Sequence, residues 1–500
     1  MSKSVDFGGR PFHFIGIGGI GMSALAYILT KRKLPVSGSD LRLTHITQRL
    51  QEAGAHIFWQ QEASNLSFFQ NCLSQSSALS SGTDSSSTAL TAACQLPQVV
   101  CSTAIDANNP EYQAALKLNC PILHRSDLLA ALIEDYSSIA VAGTHGKTTT
   151  SSMIGLLLLK AGLDPTIVVG GEVGAWSGNA HLGKGPYLVA EADESDGSLA
   201  KLSAYIGVVT NIELDHTDHY GSLEDVITIF ETFAHKCDRL VGCIDCATVR
   251  DALKPDITYS LHPESGADYV ADDITYHAAG TTATICEKGE VLGVLNLQVL
   301  GQHNLSNALA AIAVGRQLGL PFAQISEILS QFEGARRRFE QRGYHAGIWF
   351  VDDYAHHPSE IRATLAAARL KLKDASRPGD VSRIVAVFQP HRYSRTAALL
   401  PDFADAFADA DRVIITDIYS AGEANSYGVS GKLVSTEIAA NHSQVEYQDT
   451  LAGVQQRLTE ILEPGDLVLF LGAGNLNQVI PNVMAFYADS EAQPLQRACR

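Results

Sequence analysis

Positive charge is scarce in this chain, and a long uninterrupted hydrophobic run is missing. Its 500 residues carry 36 Lys and Arg against 54 Asp and Glu, a formal net charge of −18. An acidic balance of this size argues against non-specific binding to nucleic acid or to an anionic membrane surface. An anionic ligand must then be gathered by local basic clusters. Two stand out: Arg336, Arg337 and Arg338 with Arg342, and His391 and Arg392 with Arg395. No stretch of about 18 gap-free apolar residues is present to span a bilayer. The apolar opening "FHFIGIGGIGMSALAYIL" is cut by four glycines and reads as strand, turn and helix rather than as a signal peptide. A disulfide framework is missing too. Nine cysteines, an odd count, are scattered without framework spacing, which suits reduced thiols in a cytoplasmic protein. Cys243 and Cys246, with Cys237 and His235 upstream, have the outline of a zinc site. "RLVGCI" reads instead as a buried strand, in which cysteine serves as a small hydrophobe.

What is present is ordinary globular material, 46% hydrophobic and 18% charged. The length suggests roughly three domains at about 150 residues each. Strand-like and helix-like runs alternate almost throughout, which predicts an α/β fold built on parallel sheets. The expected divisions are 1–136, 137–336 and 337–500. A Ser/Thr/Ala-rich, nearly uncharged segment at 73–98 reads as a loop insertion in the first domain. The second contains an irregular stretch, expected to be a small antiparallel addition followed by a helix near 305–318. Strands of the third are expected in "IWFVDDY", "RIVAVFQP", "RVIITDIY" and "DLVLFLGAG". The tail "DSEAQPLQRACR" is expected to be loose.

Several motifs carry chemistry. Gly16, Gly18 and Gly21 form G-x-G-x-x-G directly after a strand, and Asp40 ends the next strand. Such glycines let backbone approach a pyrophosphate at a helix N-terminus, while the acid catches a ribose hydroxyl. This specifies a nucleotide diphosphate; NAD and a UDP-sugar both remain open. "GTHGKTTT" (143–150) follows another strand. Val141 stands where the usual phosphate loop has its first glycine, so this is a shorter variant, G-T-x-G-K-T. Backbone amides of Gly143, Thr144, His145, Gly146 and Thr149 suit phosphate, Lys147 reaches β/γ-phosphates and Thr148 suits Mg²⁺. Glu191, Asp193, Glu194 and Asp196 crowd the end of the following strand, and Glu191, nearest the strand, is the expected metal ligand. "TNIELDHTDHYG" adds Asn211, Glu213, Asp215, His216 and His219. "GQHNLSNALAA" places His303, Asn304 and Asn307 at a helix start, where Asn offers both a donor and an acceptor to an adenine edge. Asp352, Asp353, Tyr354, His356 and His357 end one strand, and His391, Arg392, Tyr393 and Arg395 another. Acids and arginines at neighbouring strand ends suit a small charged molecule.

Taken in order, "GIGGIGMSALA" (16–26), "GTHGKTTT" (143–150), "EADESDGS" (191–198), "TNIELDHTDHYG" (210–221), "GQHNLSNALAA" (301–311), "DDYAHHPSEI" (352–361), "FQPHRYSRT" (388–396) and "YSAGE" (419–423) resemble the muramyl ligases of peptidoglycan synthesis over nearly the whole chain. Within that family they resemble the branch that adds a single L-alanine. The 73–98 insertion and Thr217, where Met is expected, depart from the pattern. The resemblance implies a Rossmann-like UDP-binding domain, a central P-loop ATPase-like domain and a Rossmann-like C-terminal domain. It implies ATP, Mg²⁺, UDP-N-acetylmuramate and L-alanine as ligands, and a monomer or weak homodimer. Gly16, Gly18, Gly19, Gly21, Met22, Asp40, Ser102 and Thr103 would face the UDP-sugar. Lys147 would hold the β/γ-phosphates, and Thr148, Glu191 and His216 the Mg²⁺. His303, Asn304 and Asn307 would hold adenine, and Asp352 the ribose. Tyr354, His356, Arg392 and Arg395 would gather the amino acid and the transferring phosphate. Lys147, His216, His356, Arg392 and Arg395 form the implied catalytic set. No residue is assigned as the base for the amine. The rival readings are a sister ligase that attaches a whole tripeptide, an NAD-dependent dehydrogenase, and a regulatory nucleotide-binding protein.

Overall fold

The computed structural model describes residues 5–69, 96–372 and 381–498, with side chains up to 489. Most of the 73–98 insertion lies outside the described residues. The chain divides into two compact units: Met1–Gly143 with Leu158–Val209 and Thr228–Val241, and Thr144–Leu157 with Thr210–Ile227 and Gly242–Arg500.

The first unit begins with a five-stranded parallel sheet. Its order is His56–Phe58, Val36–Ser39, Phe12–Ile15, Gln98–Cys101, Ile122–His124. Phe12–Ile15 and Gln98–Cys101 are fully buried, and their polar members are hydrogen-bonded there, His13 to Ser37 and Glu111 and Gln98 to the Asp6 backbone. Chain order reverses between Phe12–Ile15 and Gln98–Cys101, and a ligand crevice is expected beyond the carboxyl ends at such a point. The glycine turn follows one of these strands, and Ser102 and Thr103 follow the other. The same unit carries strands in the order Ile206–Val209, Ser137–Ala142, Tyr187–Glu191, Thr166–Val173, Gly178–His181. The pairs are parallel except the last.

In the second unit, Tyr269–His277, Gly280–Glu287 and Glu290–Leu297 form an antiparallel meander, as expected, followed by the helix Gln302–Gln317. A six-stranded sheet follows: Glu340–His345, Ile348–Asp353, Asp466–Leu471, Arg383–Phe388, Arg412–Thr416, Val445–Gln448. Only the first pair is antiparallel. Successive residues face opposite layers: Ile384, Ala386 and Phe388 join one apolar cluster, Val385 and Val387 the other. This strand period fixes which side chains at the strand ends turn toward a ligand.

Two expectations change in detail, and the reading of Cys243 as part of a buried strand holds. The edge strands Glu340–His345 and Val445–Gln448 were not anticipated. The tail expected to be loose continues the helix Ile480–Ala498. Cys243 is buried at the end of a strand, and Cys243 and Cys246 are free thiols outside the potential metal clusters found among the described residues. No helix among the described residues is long and apolar enough to cross a membrane.

Candidate active site

The phosphate-loop segment of the second unit is laced to the 210–213 segment. Thr144 N donates to Asn211 O (3.0 Å), and His145 N to Asn211 Oδ1 (2.8 Å). Thr210 Oγ1 donates to His145 O (2.6 Å), and Glu213 N to Thr144 Oγ1 (2.8 Å). Lys147 opens the helix Lys147–Lys160, and its Nζ donates to Thr144 O (3.1 Å). Gly146 has φ +82°, and a Cβ there would lie 2.6 Å from Asn307 Oδ1. Glycine is therefore required both by backbone sign and by the approach of Asn307.

Beside this loop is a cavity of about 240 Å³, lined in part by His145, Gly146, Asn211, His303, Asn304 and Asn307. Asn307 Oδ1 accepts from Thr150 Oγ1 (3.1 Å), and Asn304 Nδ2 donates to Leu300 O (2.8 Å). Burial lowers His303 to about 4, with Arg338 adding to the fall, so its ring is neutral. The acids lining the cavity are Asp353 and Glu360. Asp352, expected to hold the ribose, does not line it, because adjacent strand residues face opposite ways. Asp352 is 1% exposed and turns to Arg342 (3.2 Å) and Arg337 (3.6 Å). Burial pushes Asp353 up to about 6 against the pull of Arg338 and of the Ala355 and Phe339 amides.

Around His145 lies a charged network. Nε2 is 3.4 Å from Glu213, and Nδ1 is 3.3 Å from Glu360. Burial disfavours the imidazolium, yet hydrogen bonds to the two carboxylates raise His145 to about 9. Burial opposes ionisation of Glu213 as well, but His145 brings it to about 2. A second network surrounds Asp215. Arg395 is 3% exposed; its Nε donates to Asp215 Oδ1 (2.6 Å), and its other nitrogens lie 3.1 Å from His391 Nδ1 and 3.4 Å from His216 Nδ1. Despite burial, Arg395 holds Asp215 well below the usual carboxylate range. His216 has φ +52°, unusual for a residue with a side chain. Thr217 Oγ1 is buried without a hydrogen-bond partner. His356 Nδ1 is 3.0 Å from Tyr354 O, and Nε2 lies 4.0 Å from Asp215. Burial lowers His356 to about 4, Glu360 pulling the other way. Tyr354 lies under the guanidinium groups of Arg337 and Arg338, 4.8 and 5.2 Å from the ring centre. Arg392 has φ +68° and pairs with Asp218 and Glu423.

In the first unit, Ser39 O accepts from Gly16 N and Ile17 N (both 2.9 Å), and Asp40 Oδ2 accepts from Gly18 N (2.9 Å). A Cβ on Gly18 would meet that carboxylate at 2.7 Å. Gly19 precedes the helix Ile20–Lys31, and Gly21 lies within it. Met22 is 3% exposed and belongs to the apolar core. Thr103 is exposed and Ser102 half-buried. Glu191 accepts from Gly170 N (2.7 Å). Asp193 and Asp196 turn to Arg125 (3.3 and 3.7 Å). Thr148 is buried in the second unit, as is most of His216.

The structure thus brings His145, Gly146, Thr149, His303, Asn304 and Asn307 around one cavity, and His216, His356 and Arg395 around Asp215. Sequence reasoning gave no role to Glu360, Asp215 or Glu423. For Glu360 a signal existed: it stands three residues after His357 at a helix start, the spacing of a capping carboxylate.

Residues 11–137 match the Mur ligase family catalytic domain, 141–315 the Mur ligase middle domain, and 337–474 the Mur ligase glutamate ligase domain. A UDP-N-acetylmuramate–L-alanine ligase of Nostoc punctiforme is 64% identical over 490 residues, covering 98% of this chain and 99% of its own. That of Crocosphaera subtropica is 60% identical and covers 100% of this chain and 98% of its own. The crystal structure of a UDP-N-acetylmuramate–alanine ligase from Thermotoga maritima has a TM-score of 0.78 at 28% identity, covering 96% of this chain and 99% of that one. A murein peptide ligase from Psychrobacter arcticus shares the fold, with a TM-score of 0.69 at 22% identity and coverage of 96% and 99%. With three matched segments covering most of its length, the chain belongs to the Mur ligase family.

Proposed function

We propose that this chain is an ATP-dependent ligase that joins L-alanine to the lactyl carboxylate of UDP-N-acetylmuramate in the synthesis of peptidoglycan precursors. The observation that carries the reading is the cavity between the 144–149 loop and His303, Asn304 and Asn307, in the same unit as the Asp215–Arg395 network. Full-length relatives bearing that activity in their names, at 57–64% identity, support it. The divisions 1–136, 137–336 and 337–500 are proposed with it, as are a cytoplasmic location and a monomer or weak homodimer.

A carboxylate is a poor electrophile, so the reaction needs an activated form. Transfer of the γ-phosphate to a carboxylate oxygen gives an acyl phosphate and ADP. The alanine amine, once deprotonated, attacks the acyl carbon, and phosphate leaves with that oxygen. Lys147 neutralises phosphate charge where negative oxygens must approach. Asn304 and Asn307 read the adenine, and Asp353, one of two acids lining the cavity, is assigned to the ribose. The UDP-sugar is assigned to Gly16, Gly18, Gly19, Gly21, Asp40, Ser102 and Thr103. His356, Tyr354, Arg392 and Arg395 are assigned to the amino acid and the transferring phosphate.

The hydroxyl of Thr148 is a hard oxygen donor suited to Mg²⁺, and His216 of the same unit is assigned to it as well; Glu191, of the first unit, keeps its assignment to Mg²⁺ from the resemblance. Mg²⁺, when bound, screens the phosphate charges. An omission assay tests the function. Phosphate release is expected only with ATP, Mg²⁺, UDP-N-acetylmuramate and L-alanine together. Release driven by a tripeptide but not by L-alanine would favour the sister ligase, and release without any amino acid would overturn the reading.

A further inference from the structure

Glu360 is a buried carboxylate to which the reaction scheme gives no part. It lies in the first turn of the helix Pro358–Leu372, and its side chain is 12% exposed. One oxygen is 3.3 Å from His145 Nδ1 and 3.7 Å from Arg338 Nη1. The other accepts from the backbone amides of His356 (3.0 Å) and His357 (3.3 Å), and lies 3.3 Å from His356 Nδ1. Capping the helix needs only the amide contacts. Two imidazoles and a guanidinium converge on the same carboxylate, and burying a charge is costly unless it is so paired.

The two oxygens serve different loops. His145 belongs to the phosphate loop; its own N–H and C=O are bonded to Asn211 and Thr210, and its ring is held between Glu213 and Glu360. His356 belongs to the 354–357 segment, which is held to Glu360 by two amides and a ring nitrogen. His356 Nδ1 faces two acceptors, Tyr354 O and Glu360, so it carries the proton and leaves the Nε2 lone pair turned toward Asp215.

We propose that Glu360 is a positioning residue that ties the phosphate loop to the amino-acid segment, so that nucleotide binding fixes the orientation of His356 and thereby favours L-alanine. This rests on the functional reading given above. The ionised state the device needs is secure: although burial opposes it, His356, His145 and Arg338 hold the Glu360 carboxyl well below its ordinary range. By linkage, L-alanine must then tighten nucleotide binding by the same factor as nucleotide tightens L-alanine.

The test is a cycle of four full-length proteins: parent, Glu360→Gln, His145→Asn and the double variant. Affinity for a non-hydrolysable ATP analogue is measured with and without saturating L-alanine, together with kcat and KM for L-alanine. In the parent, L-alanine should tighten the analogue by about fivefold or more. In each single variant that factor should fall toward one, with KM for L-alanine raised about tenfold, and the double variant should be no worse than the singles. Glu360→Asp, which keeps the charge, should restore part of the coupling, and it serves as the test variant if the Gln substitution does not fold. Coupling that survives in Glu360→Gln, or single effects that multiply in the double variant, would overturn the proposal. Asn304→Ala separates it from the reading beneath it. Unchanged analogue affinity in Asn304→Ala would remove the nucleotide assignment of the cavity and the proposal with it. Weakened affinity there, with coupling intact in Glu360→Gln, would remove the proposal alone.

Discussion

Replacing Gly146 by Ala tests the phosphate loop against an internal control. Gly146 has φ +82° and Gly162, just beyond the same helix, has φ +80°. A side chain at either position pays the left-handed penalty of roughly 1–2 kcal/mol. Their surroundings differ. Nothing lies within 4 Å of a Cβ on Gly162, whereas a Cβ on Gly146 would sit 2.6 Å from Asn307 Oδ1. That clash is relieved only by moving the Asn307 carboxamide or the loop, and both line the cavity. Moving Asn307 also breaks its bond from Thr150, a further ~1 kcal/mol. The sum, about 2–3 kcal/mol, corresponds to roughly 30- to 150-fold in affinity if it falls on the nucleotide site. Calorimetric ATP binding and urea titration on both variants provide the assay. Gly162→Ala should lose stability and keep ATP affinity, and Gly146→Ala should lose ATP affinity by at least about tenfold. ATP binding by Gly146→Ala within about twofold of the parent would refute the reasoning.

Other expectations can be checked with the same assays. Lys147→Ala should keep its unfolding midpoint while turnover drops ~10²-fold or more, and a variant retaining a tenth of parental turnover would contradict the role given to Lys147. Arg395→Ala strands the Asp215 carboxylate, which is buried and paired to it at 2.6 Å, and should cost ~3–5 kcal/mol in urea titration, whereas Arg392→Ala, at a third-exposed site, should cost far less. Equal costs would show that the Asp215–Arg395 pair is not a buried one. The His145 network also sets a pH dependence. His145 is raised from 6.5 to about 9, so its stabilising contribution is full below pH 6.5 and is lost as pH rises through 9. Glu213 is lowered from 4.5 to about 2, so its contribution stands above pH 4.5 and is lost as pH falls through 2. His145→Asn should therefore shrink the fall in urea midpoint between pH 6.5 and 9; an unchanged fall would show that His145 is not the group responsible.

The parts of the fold that were legible are those whose signal is local. Parallel strands buried on both faces are apolar throughout, so "RIVAVF" and "DLVLFL" could be read directly as Arg383–Phe388 and Asp466–Leu471. Glu340–His345 and Val445–Gln448 carry mostly polar, partly exposed residues at the sheet edges, and nothing in their periodicity marks them. The tail was misread because its charge and polarity outweighed the helix propensity of its Ala, Glu and Gln residues. Glycine turns were legible because a positive φ or a close approach selects glycine at a single position, as at Gly146. The choice between Asp352 and Asp353 was not, because it depends on which sheet face meets the cavity. Nor were Asp215 and Glu360, whose partners come from distant segments; Asp215 and Arg395 lie 180 positions apart.

The central claim is that phosphate is spent on a carboxylate that an amine then captures. Oxygen transfer tests it most directly. UDP-N-acetylmuramate labelled with ¹⁸O in its lactyl carboxylate is incubated with ATP, Mg²⁺ and L-alanine, and the released phosphate is examined by mass spectrometry. The account predicts that each released phosphate carries one carboxylate oxygen, in step with formation of the amide. Amide formation accompanied by unlabelled phosphate would contradict it.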